Sequence, residues 1–443
     1  MLGVLFLYEP LNLNFNVGQV RLFGHMVKQN GISSIKKLSL HAPTLDFSFM
    51  SHQSQTVSFD NIETAFSGKT MADLNRSYFL FKAIGSNTLV RTMEPLSKLA
   101  FAIHLPVSPL VKATIFKQFV GGENIDDCQN TIDRLYNLGV GSILDYSVEG
   151  KHNDESFERT TNETLHTITK AAGNEKIPFC VFKVTGLSNF DVLEKVSSKS
   201  LLDVTDQRSW EATQNRVNRI CSHAAKNNVR IFIDAEETWI QPAIDLLAEN
   251  NMQEFNTERP IVFNTIQLYR HDRLQYLKDL YQRSKNGFYK LGVKLVRGAY
   301  MEKERERAAL KNYLSPIQPT KAASDADYNQ ALKFCIEHLD DIAICAGTHN
   351  EDSSMLLVNL MKHRNIASNH PHIWFSQLLG MSDHISFNLS KAGYNVCKYV
   401  PYGPVRDVMP YLLRRAKENT SVKGQTGREL SLIMKEKARR KSL

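Results

Sequence analysis

The sequence predicts a (β/α)8 barrel of the α/β class, preceded by an N-terminal helical arm. Eight short, apolar, β-branched runs recur between residues 141 and 403, and segments with helical spacing separate them. Such a series of strand–helix units matches this barrel, which usually takes about 250 residues. None of the runs is followed by the complete G-x-G-x-x-G pattern of a dinucleotide-binding sheet, so a Rossmann fold is not supported.

The predicted strands share an apolar start and a polar finish. In chain order they are GSILDYS (141–147), FCVFKVTG (179–186), RIFIDAEE (230–237), IVFNTIQLY (261–269), GVKLVRGAY (292–300), IAICAGTHN (342–350), IWFSQLLGM (373–381) and NVCKYVPYG (395–403). In a barrel of parallel strands, catalytic residues gather at the carboxyl ends of the strands. Because the polar finishes all fall at that end, they predict an active site there.

Four segments are expected along the chain: a leader (1–58), a helical arm (59–139), the barrel (140–425) and a basic C-terminal tail (426–443). The leader holds four basic and two acidic residues among many Ser, Asn and His. This composition is typical of a mitochondrial presequence, with a disordered leader of another kind as the alternative. The arm contains short amphipathic stretches such as SYFLFKAIG and CQNTIDRLYNLG, separated by Gly and Pro.

Hydropathy excludes a membrane-spanning protein, and the charge distribution argues against a nucleic-acid-binding one. The apolar runs are far shorter than the roughly 20 residues that a membrane-spanning helix needs. The net charge is +8, and residues 406–443 supply +7 of it with 11 basic and four acidic side chains. The nearly neutral remainder offers no extended face for nucleic acid. The tail is interpreted as a solvated helix end, with contact to anionic lipid as the alternative.

The six cysteines lie far apart, and no C-x-x-C pair occurs among them. This spacing predicts buried, reduced thiols and neither a disulfide framework nor a zinc site. We therefore expect no metal in the protein.

The segment after the eighth predicted strand, YVPYGPVRDVMPYLLRRAKEN, carries the sharpest local pattern. Pro410 suits the first turn of a helix, and Arg414 and Arg415 follow it in that helix. Two guanidinium groups over the barrel mouth can bind a carboxylate with paired N–H donors. Surface arginines with Glu418 as a local partner are the alternative. The tyrosines nearby, including Tyr411, favour the carboxylate clamp.

Other strand-end residues leave their chemistry open. Lys183 is either a Schiff-base lysine or a cation that helps to hold an acid. Asp234 and Glu236 are candidates for metal binding, for general base catalysis or for pairing with Lys183. His349 has no second His at ligand spacing, so a hydrogen bond to substrate or cofactor is favoured over a metal bond. From these residues alone, the sequence predicts a barrel enzyme that acts on a small carboxylate.

Several segments, taken together, resemble the proline dehydrogenase family, specifically its mitochondrial eukaryotic branch. In family order they are FKVTGL, DAEET, KLVRGAYMEKER, GTHN, QLLGMSD and YVPYGPVRDVMPYLLRRAKEN. The likeness runs from about Asp60 to about Glu429. Members of this family have a (β/α)8 barrel that binds FAD without a Rossmann domain, in keeping with the missing glycine pattern.

The resemblance implies FAD-dependent oxidation of L-proline to Δ1-pyrroline-5-carboxylate, the first step of proline catabolism. Hydride would pass from C5 of proline to flavin N5, and the electrons would go on to a membrane quinone. The expected location is the matrix side of the inner mitochondrial membrane, with peripheral association. The alternatives are a hydroxyproline dehydrogenase, a Schiff-base lyase that uses Lys183, and a barrel that has lost catalysis. The large ring of Tyr399 favours proline, because a smaller residue is typical of the hydroxyproline enzymes.

The resemblance also implies which residues form the site. Those expected to bind proline are Lys183, Leu378, Tyr399, Tyr411, Arg414 and Arg415. The same residues without Leu378, together with Asp234, which supports the site, are expected to be catalytic. Those expected to line FAD are Gln267, Lys294, Gly298, Thr348, His349, Asn350 and Glu418. Lys294 departs from the bacterial members, which carry Arg there. Positive neighbours would discourage the charge of Lys183, and we expect a bound carboxylate to restore it.

Overall fold

A computed structural model describes residues 57–85, 108–148, 153–421 and 425–442, and the side chains of 417–426 are not described. The predicted leader, 1–58, therefore lies outside the described residues except for its last two positions. The proposed boundaries of the leader, arm, barrel and tail stay predictions.

Eight parallel strands close into one barrel in the order β1 to β8, and β8 pairs with β1. The strands are β1 (Val140–Tyr146), β2 (Phe179–Lys183), β3 (Arg230–Asp234), β4 (Val262–Gln267), β5 (Leu291–Val296), β6 (Ile342–Gly347), β7 (Ile373–Leu378) and β8 (Val396–Tyr402). Each overlaps one of the eight predicted runs and ends before that run does. The predicted fold class is confirmed.

Helices precede, connect and follow the strands. They are α1 (Ile62–Phe66), α2 (Met71–Ile84), α3 (Ser108–Val111), α4 (Lys117–Phe119), α5 (Gln129–Tyr136), α6 (Asp154–Ala171), α7 (Phe190–Ser197), α8 (Val204–Lys226), α9 (Gln241–Phe255), α10 (Arg273–Gly287), α11 (Met301–Leu310), α12 (Lys321–Glu337), α13 (Glu351–His363), α14 (Asp383–Lys391), α15 (Met409–Ser421) and α16 (Gln425–Lys441). A π-helical turn, Lys112–Phe116, joins α3 to α4. The 3-10 turn Val184–Gly186 follows β2 directly.

The barrel interior changes from aromatic to charged along the strands. Near the amino ends, Phe179 stacks on Phe232 with ring centroids 4.5 Å apart, and Phe263 and Trp374 meet Phe179 edge-on. Side chains of a strand alternate between its two faces, so the inward positions of β2 continue from Phe179 to Lys183. The aromatic layer fills the interior near the amino ends of the strands, and the charged side chains lie toward the carboxyl ends.

A second apolar core lies outside the barrel and joins the helices at the two ends of the described chain. It contains buried residues of α1, α2, α4, α15 and α16, among them Phe66, Phe81, Leu412, Leu432 and Ile433. Residues 426–441, part of the predicted basic tail, thus belong to a helix with a buried apolar face. Its arginines contact α1 and the turn after it: Arg439 lies 3.7 Å from Glu63, and Arg440 donates to the carbonyls of Phe66 and Lys69.

All six cysteines are buried as free thiols. Burial raises the pKa of Cys180 to about 12, which keeps that thiol protonated and unreactive. Within the described residues, no helix combines the length and apolar character needed to cross a membrane.

Candidate active site

Lys183 lies between two carboxylates at the end of β2. Its Nζ is 3.1 Å from Asp234 Oδ2 and 3.4 Å from each carboxylate oxygen of Asp145. These partners come from the strands on either side, β1 and β3. Burial disfavours the charge of Lys183, but the two carboxylates outweigh it and raise its pKa above the ordinary value. Lys183 is therefore an ammonium before any substrate binds. Asp145 and Asp234 balance its charge, a role that we expected of a bound carboxylate.

The row of charges continues across the barrel from Asp234. Its carboxylate accepts hydrogen bonds from Lys294 Nζ and from the Tyr399 hydroxyl, the latter at 3.3 Å. Lys294 Nζ also donates to that hydroxyl at 2.5 Å and lies 4.7 Å from the centroid of the Tyr399 ring. Burial acts to raise the pKa of Asp234, but Lys294 and Lys183 prevail and lower it. We call Asp145, Lys183, Asp234 and Lys294 the mouth row, because their charges alternate in sign across the barrel mouth.

Helix α15 brings its two arginines and Tyr411 toward the strand ends. Pro410 is its second residue, which suits a position where no backbone N–H is needed. Arg415 is only 8% exposed, and its guanidinium lies 5.3 Å from the Tyr411 ring centroid. Its charge helps to lower the pKa of His349, which follows β6. Burial raises the pKa of Tyr300, which follows β5, and the positive charge of Arg414 opposes that rise.

Leu378, the last residue of β7, pairs in register with Tyr399 on β8 and packs in the same interior cluster. The structure thus brings together Lys183, Asp234, Leu378, Tyr399, Tyr411, Arg414 and Arg415 around the barrel mouth. Of the predicted site residues, Glu418 has a side chain that lies outside the described part of the chain.

Predicted cofactor residues lie on the β5 and β6 side of the mouth. Thr348 Oγ1 accepts hydrogen bonds from Arg297 at 2.9 Å and from the Asn350 backbone N–H at 3.1 Å. Asn350 caps α13, because its side chain accepts from the Ser353 N–H at 2.7 Å. Gly298 has φ +141°, and a Cβ there would lie 2.3 Å from the Tyr269 ring. Only glycine fits this backbone position.

Two further predicted cofactor residues keep polar atoms available. Gln267 Nε2 donates to the Glu236 carbonyl at 2.9 Å, while its Oε1 is buried and has no hydrogen-bond partner among the described residues. His349 Nδ1 is 2.9 Å from Ser382 Oγ. Burial, together with the charges of Lys398 and Arg415, lowers the pKa of His349 to about 3. This imidazole is neutral at physiological pH, and its Nε2 makes no hydrogen bond within the described chain.

A family model described as proline dehydrogenase matches residues 128–428. The chain belongs to the proline dehydrogenase family. This confirms the resemblance, and with it the prediction of an oxidoreductase of this family.

Relatives in the family carry several names. The chain is 35% identical over 323 residues to the carbapenem antibiotics biosynthesis protein CarD of Pectobacterium carotovorum subsp. carotovorum, covering 73% of this chain and 83% of that protein. It is 32% identical over 418 residues to proline dehydrogenase 1, mitochondrial, of Dictyostelium discoideum, covering 84% and 73%. It is 31% identical over 365 residues to hydroxyproline dehydrogenase of Xenopus laevis, covering 74% and 78%.

Among solved structures, proline utilization A from Bdellovibrio bacteriovorus superimposes with a TM-score of 0.64 at 20% sequence identity. The match covers 81% of this chain and 38% of that longer chain. At this identity the likeness establishes the barrel fold alone.

Two residues beside the mouth of this proline dehydrogenase family member, Asp145 and Tyr300, were not among the predicted site residues, and Glu236 was named only as a candidate beside Asp234 with its role left open. Glu236 accepts hydrogen bonds from the backbone N–H and the hydroxyl of Thr185, at 3.0 and 2.5 Å. Burial, with the nearby charge of Glu237, raises the pKa of Glu236 to about 7. Asp145 is one residue from the end of β1, while Glu236 and Tyr300 follow β3 and β5, so the pattern of polar strand ends covered all three positions. What it lacked was a reason to choose them over their neighbours.

Proposed function

We propose that the protein is an FAD-dependent L-proline dehydrogenase that forms Δ1-pyrroline-5-carboxylate. The observation that carries the proposal is the charged Lys183 at a mouth that also receives Arg414 and Arg415. Cations around a partly buried mouth suit a substrate with a carboxylate. Membership of the proline dehydrogenase family supports proline as the amino acid that supplies it.

In this proposal the two arginines and Lys183 bind the substrate carboxylate and thereby orient the pyrrolidine ring. Tyr399, Tyr411 and Leu378 form the apolar wall against that ring. Their positions are set by packing, because Tyr399 and Tyr411 are 7% and 5% exposed. A reaction that removes hydride from one ring carbon depends on orientation more than on a nucleophile, and these residues supply that orientation.

The residues present fit a flavin. Gln267 offers a buried acceptor without a partner among the described residues, and His349 is neutral with an available Nε2. Together with Lys294, Gly298, Thr348, Asn350 and Glu418, they are the residues we propose to hold FAD. When bound, FAD would supply the two-electron acceptor for hydride from C5, while the proton of the neutral ring amine passes to solvent.

Hydroxyproline dehydrogenase is the second candidate, because a relative of that name is 31% identical. Packing holds the Tyr399 ring in place, because the residue is only 7% exposed, so the ring cannot swing away to admit a 4-hydroxyl group. This favours proline. The Schiff-base lyase is disfavoured because it needs a neutral lysine, whereas two carboxylates keep Lys183 charged.

The experiment is anaerobic mixing of the purified protein with L-proline or 4-hydroxy-L-proline while the flavin absorption is followed. We expect the visible flavin bands to bleach with proline and to change at least about 10-fold more slowly with hydroxyproline, as steric exclusion from a fixed pocket predicts. Protein without flavin would overturn the cofactor proposal. Equal rates would favour the second candidate. Trapping of a Lys183 adduct by borohydride would favour the lyase.

We further propose that electrons pass to a membrane quinone and that the protein associates peripherally with the matrix face of the inner mitochondrial membrane. Relatives named as mitochondrial proline dehydrogenases, from Dictyostelium discoideum and Homo sapiens, support a mitochondrial location. Fractionation of mitochondria tests this: we expect the protein in the membrane pellet, released by carbonate, with turnover supported by a short-chain ubiquinone. A protein recovered outside mitochondria, or unable to use quinone, would contradict it.

A further inference from the structure

The loop between β7 and α14, residues 379–382, connects the active site with helices at both ends of the described chain. We call it the β7 loop. On one side the arm holds it: Gln118 Nε2 donates to the Gly380 carbonyl at 2.8 Å. Gly380 has φ +75°, and a Cβ there would lie 2.1 Å from the Gln118 carbonyl oxygen. Glycine is required at 380 because the arm backbone touches the loop.

Two lysines fix the end of the β7 loop through Asp383. Lys398, which is fully buried on β8, approaches one carboxylate oxygen to 2.7 Å, and Lys69 approaches the other to 2.8 Å. Lys398 also donates to the Met381 carbonyl at 2.5 Å. Burial acts to raise the pKa of Asp383, but the two lysines lower it, so this carboxylate is ionised. We call Lys69, Asp383 and Lys398 the loop cluster.

Glu429 of α16 completes the attachment at Ser382. Its carboxylate, which is 4% exposed, accepts the hydrogen bond of the Ser382 backbone N–H. Ser382 has φ +51°, in the left-handed region that residues other than glycine rarely adopt. The Ser382 hydroxyl, in turn, lies 2.9 Å from Nδ1 of His349. A continuous path of two hydrogen bonds therefore runs from α16 to an imidazole at the barrel mouth.

We propose that Glu429 is a positioning residue for His349 and that it acts through Ser382. A neutral imidazole carries one proton, so its partner at Nδ1 decides which nitrogen bears it and how the ring is oriented. Glu429 holds Ser382 in a backbone conformation that serine alone would not favour, which keeps the hydroxyl directed at Nδ1. His349 Nε2 then stays presented to the mouth. Glu429 lies just past the matched family residues, 128–428.

The inference rests on the proposed function, because His349 is assigned there to the flavin. Its test uses the full chain and measures the flavin dissociation constant by fluorescence quenching, together with kcat and KM for proline. For E429A we expect flavin binding to weaken about 10-fold and kcat to fall about 10-fold, with KM nearly unchanged, because the imidazole loses the orientation and tautomer that its partner fixes. E429Q keeps an acceptor for the Ser382 N–H and should restore most of both.

The matched control is E436A on the same helix. Glu436 is also buried, and its carboxylate pairs with Arg439 at 2.7 Å and Arg440 at 2.6 Å, but it does not touch the β7 loop. E436A should lower the thermal midpoint and leave flavin affinity and kcat unchanged. The inference is overturned if E429A and E436A weaken flavin binding equally, or if E429Q is as impaired as E429A.

S382G tests the second step without depending on how E429A folds. Glycine accepts φ +51° without strain and keeps the backbone N–H for Glu429, so only the hydroxyl to His349 is lost. We expect weaker flavin binding with a thermal midpoint equal to or above that of the wild type. Wild-type flavin affinity in S382G would overturn the inference. Failure of proline to reduce the wild-type flavin would instead overturn the proposed function.

Discussion

The mouth row and the loop cluster use the same kinds of residue in nearly the same way, yet they differ in access to solvent. In each, a lysine on a barrel strand forms an ion pair with an aspartate at about hydrogen-bond distance. The side chain of Lys183 is 27% exposed, whereas that of Lys398 is not exposed at all. A buried ion pair that no solvent reaches can only organise the fold, while one that opens to the barrel mouth can also bind a ligand.

The largest expected effect comes from breaking the buried ion pair between Lys398 and Asp383. We predict that K398M lowers the free energy of unfolding by about 3 kcal/mol, because it leaves Asp383 buried with only Lys69 as a charged partner. Urea denaturation measures this, and KM for proline should change far less than in a variant of Lys183. A K398M protein as stable as the wild type would show that the loop cluster does not stabilise the fold.

Breaking the open ion pair, between Lys183 and Asp234, should affect substrate binding most. We predict that K183M lowers kcat/KM for proline about 100-fold, mostly through KM, because a cation that faces the substrate carboxylate is lost. Stability should fall as well, because Asp145 is 5% exposed and loses its lysine. K290M is the control: Lys290 pairs with Asp341 at 2.7 Å just before β5, at the other end of the barrel. If K183M and K290M have equal KM values, Lys183 does not bind substrate.

Much of this comparison could be predicted from sequence. The short apolar runs, separated by segments with helical spacing, predicted the starts of all eight strands to within one residue, and each strand ends one to four residues before its predicted run does. The polar residues at the ends of the predicted strands placed Lys183 and Asp234 at the same end of the barrel, and a pairing of the two was one of the alternatives for Asp234. Asp145 was available by the same logic, because consecutive strands are neighbours in a barrel and β1 must flank β2. Asp145 was missed because a partner for Lys183 was sought only on β3.

Other contacts could not be read from sequence. Lys294 and Tyr399 are 105 positions apart and meet across the barrel interior. Their meeting depends on strand tilt and register, which no local pattern encodes. The loop cluster likewise joins Lys69 from the arm to Lys398 on the last strand, and Glu429 comes from the predicted tail. Only the packing of the second apolar core brings these segments together.

A smaller effect is expected where the mouth row meets the apolar wall. Y399F removes the hydroxyl that links Lys294 and Asp234 but keeps the ring. We predict about a 10-fold loss of kcat/KM for proline, equivalent to one buried hydrogen bond to charged groups. Discrimination against 4-hydroxyproline should persist, because the ring that excludes the hydroxyl remains. Steady-state rates with both substrates measure this. Loss of discrimination in Y399F would mean that the hydroxyl, and not the ring, sets specificity.

The smallest expected effect concerns protonation at the open end. Glu236 has its pKa raised to about 7, so its carboxylate is largely ionised at pH 8 and protonated at pH 6. The ionised form accepts the two Thr185 hydrogen bonds more strongly and so holds the turn after Lys183 more firmly.

We predict that kcat/KM rises about 2-fold as the pH increases through 7, in addition to the increase that comes from deprotonation of the proline amine. E236Q should remove the step, since an amide does not titrate.

The buried loop cluster should add no step in kcat/KM, because its lysines lower the pKa of Asp383, which stays ionised throughout this pH range. A step that survives in E236Q would belong to another group at the mouth, and the link between Glu236 and the Lys183 turn would then fail.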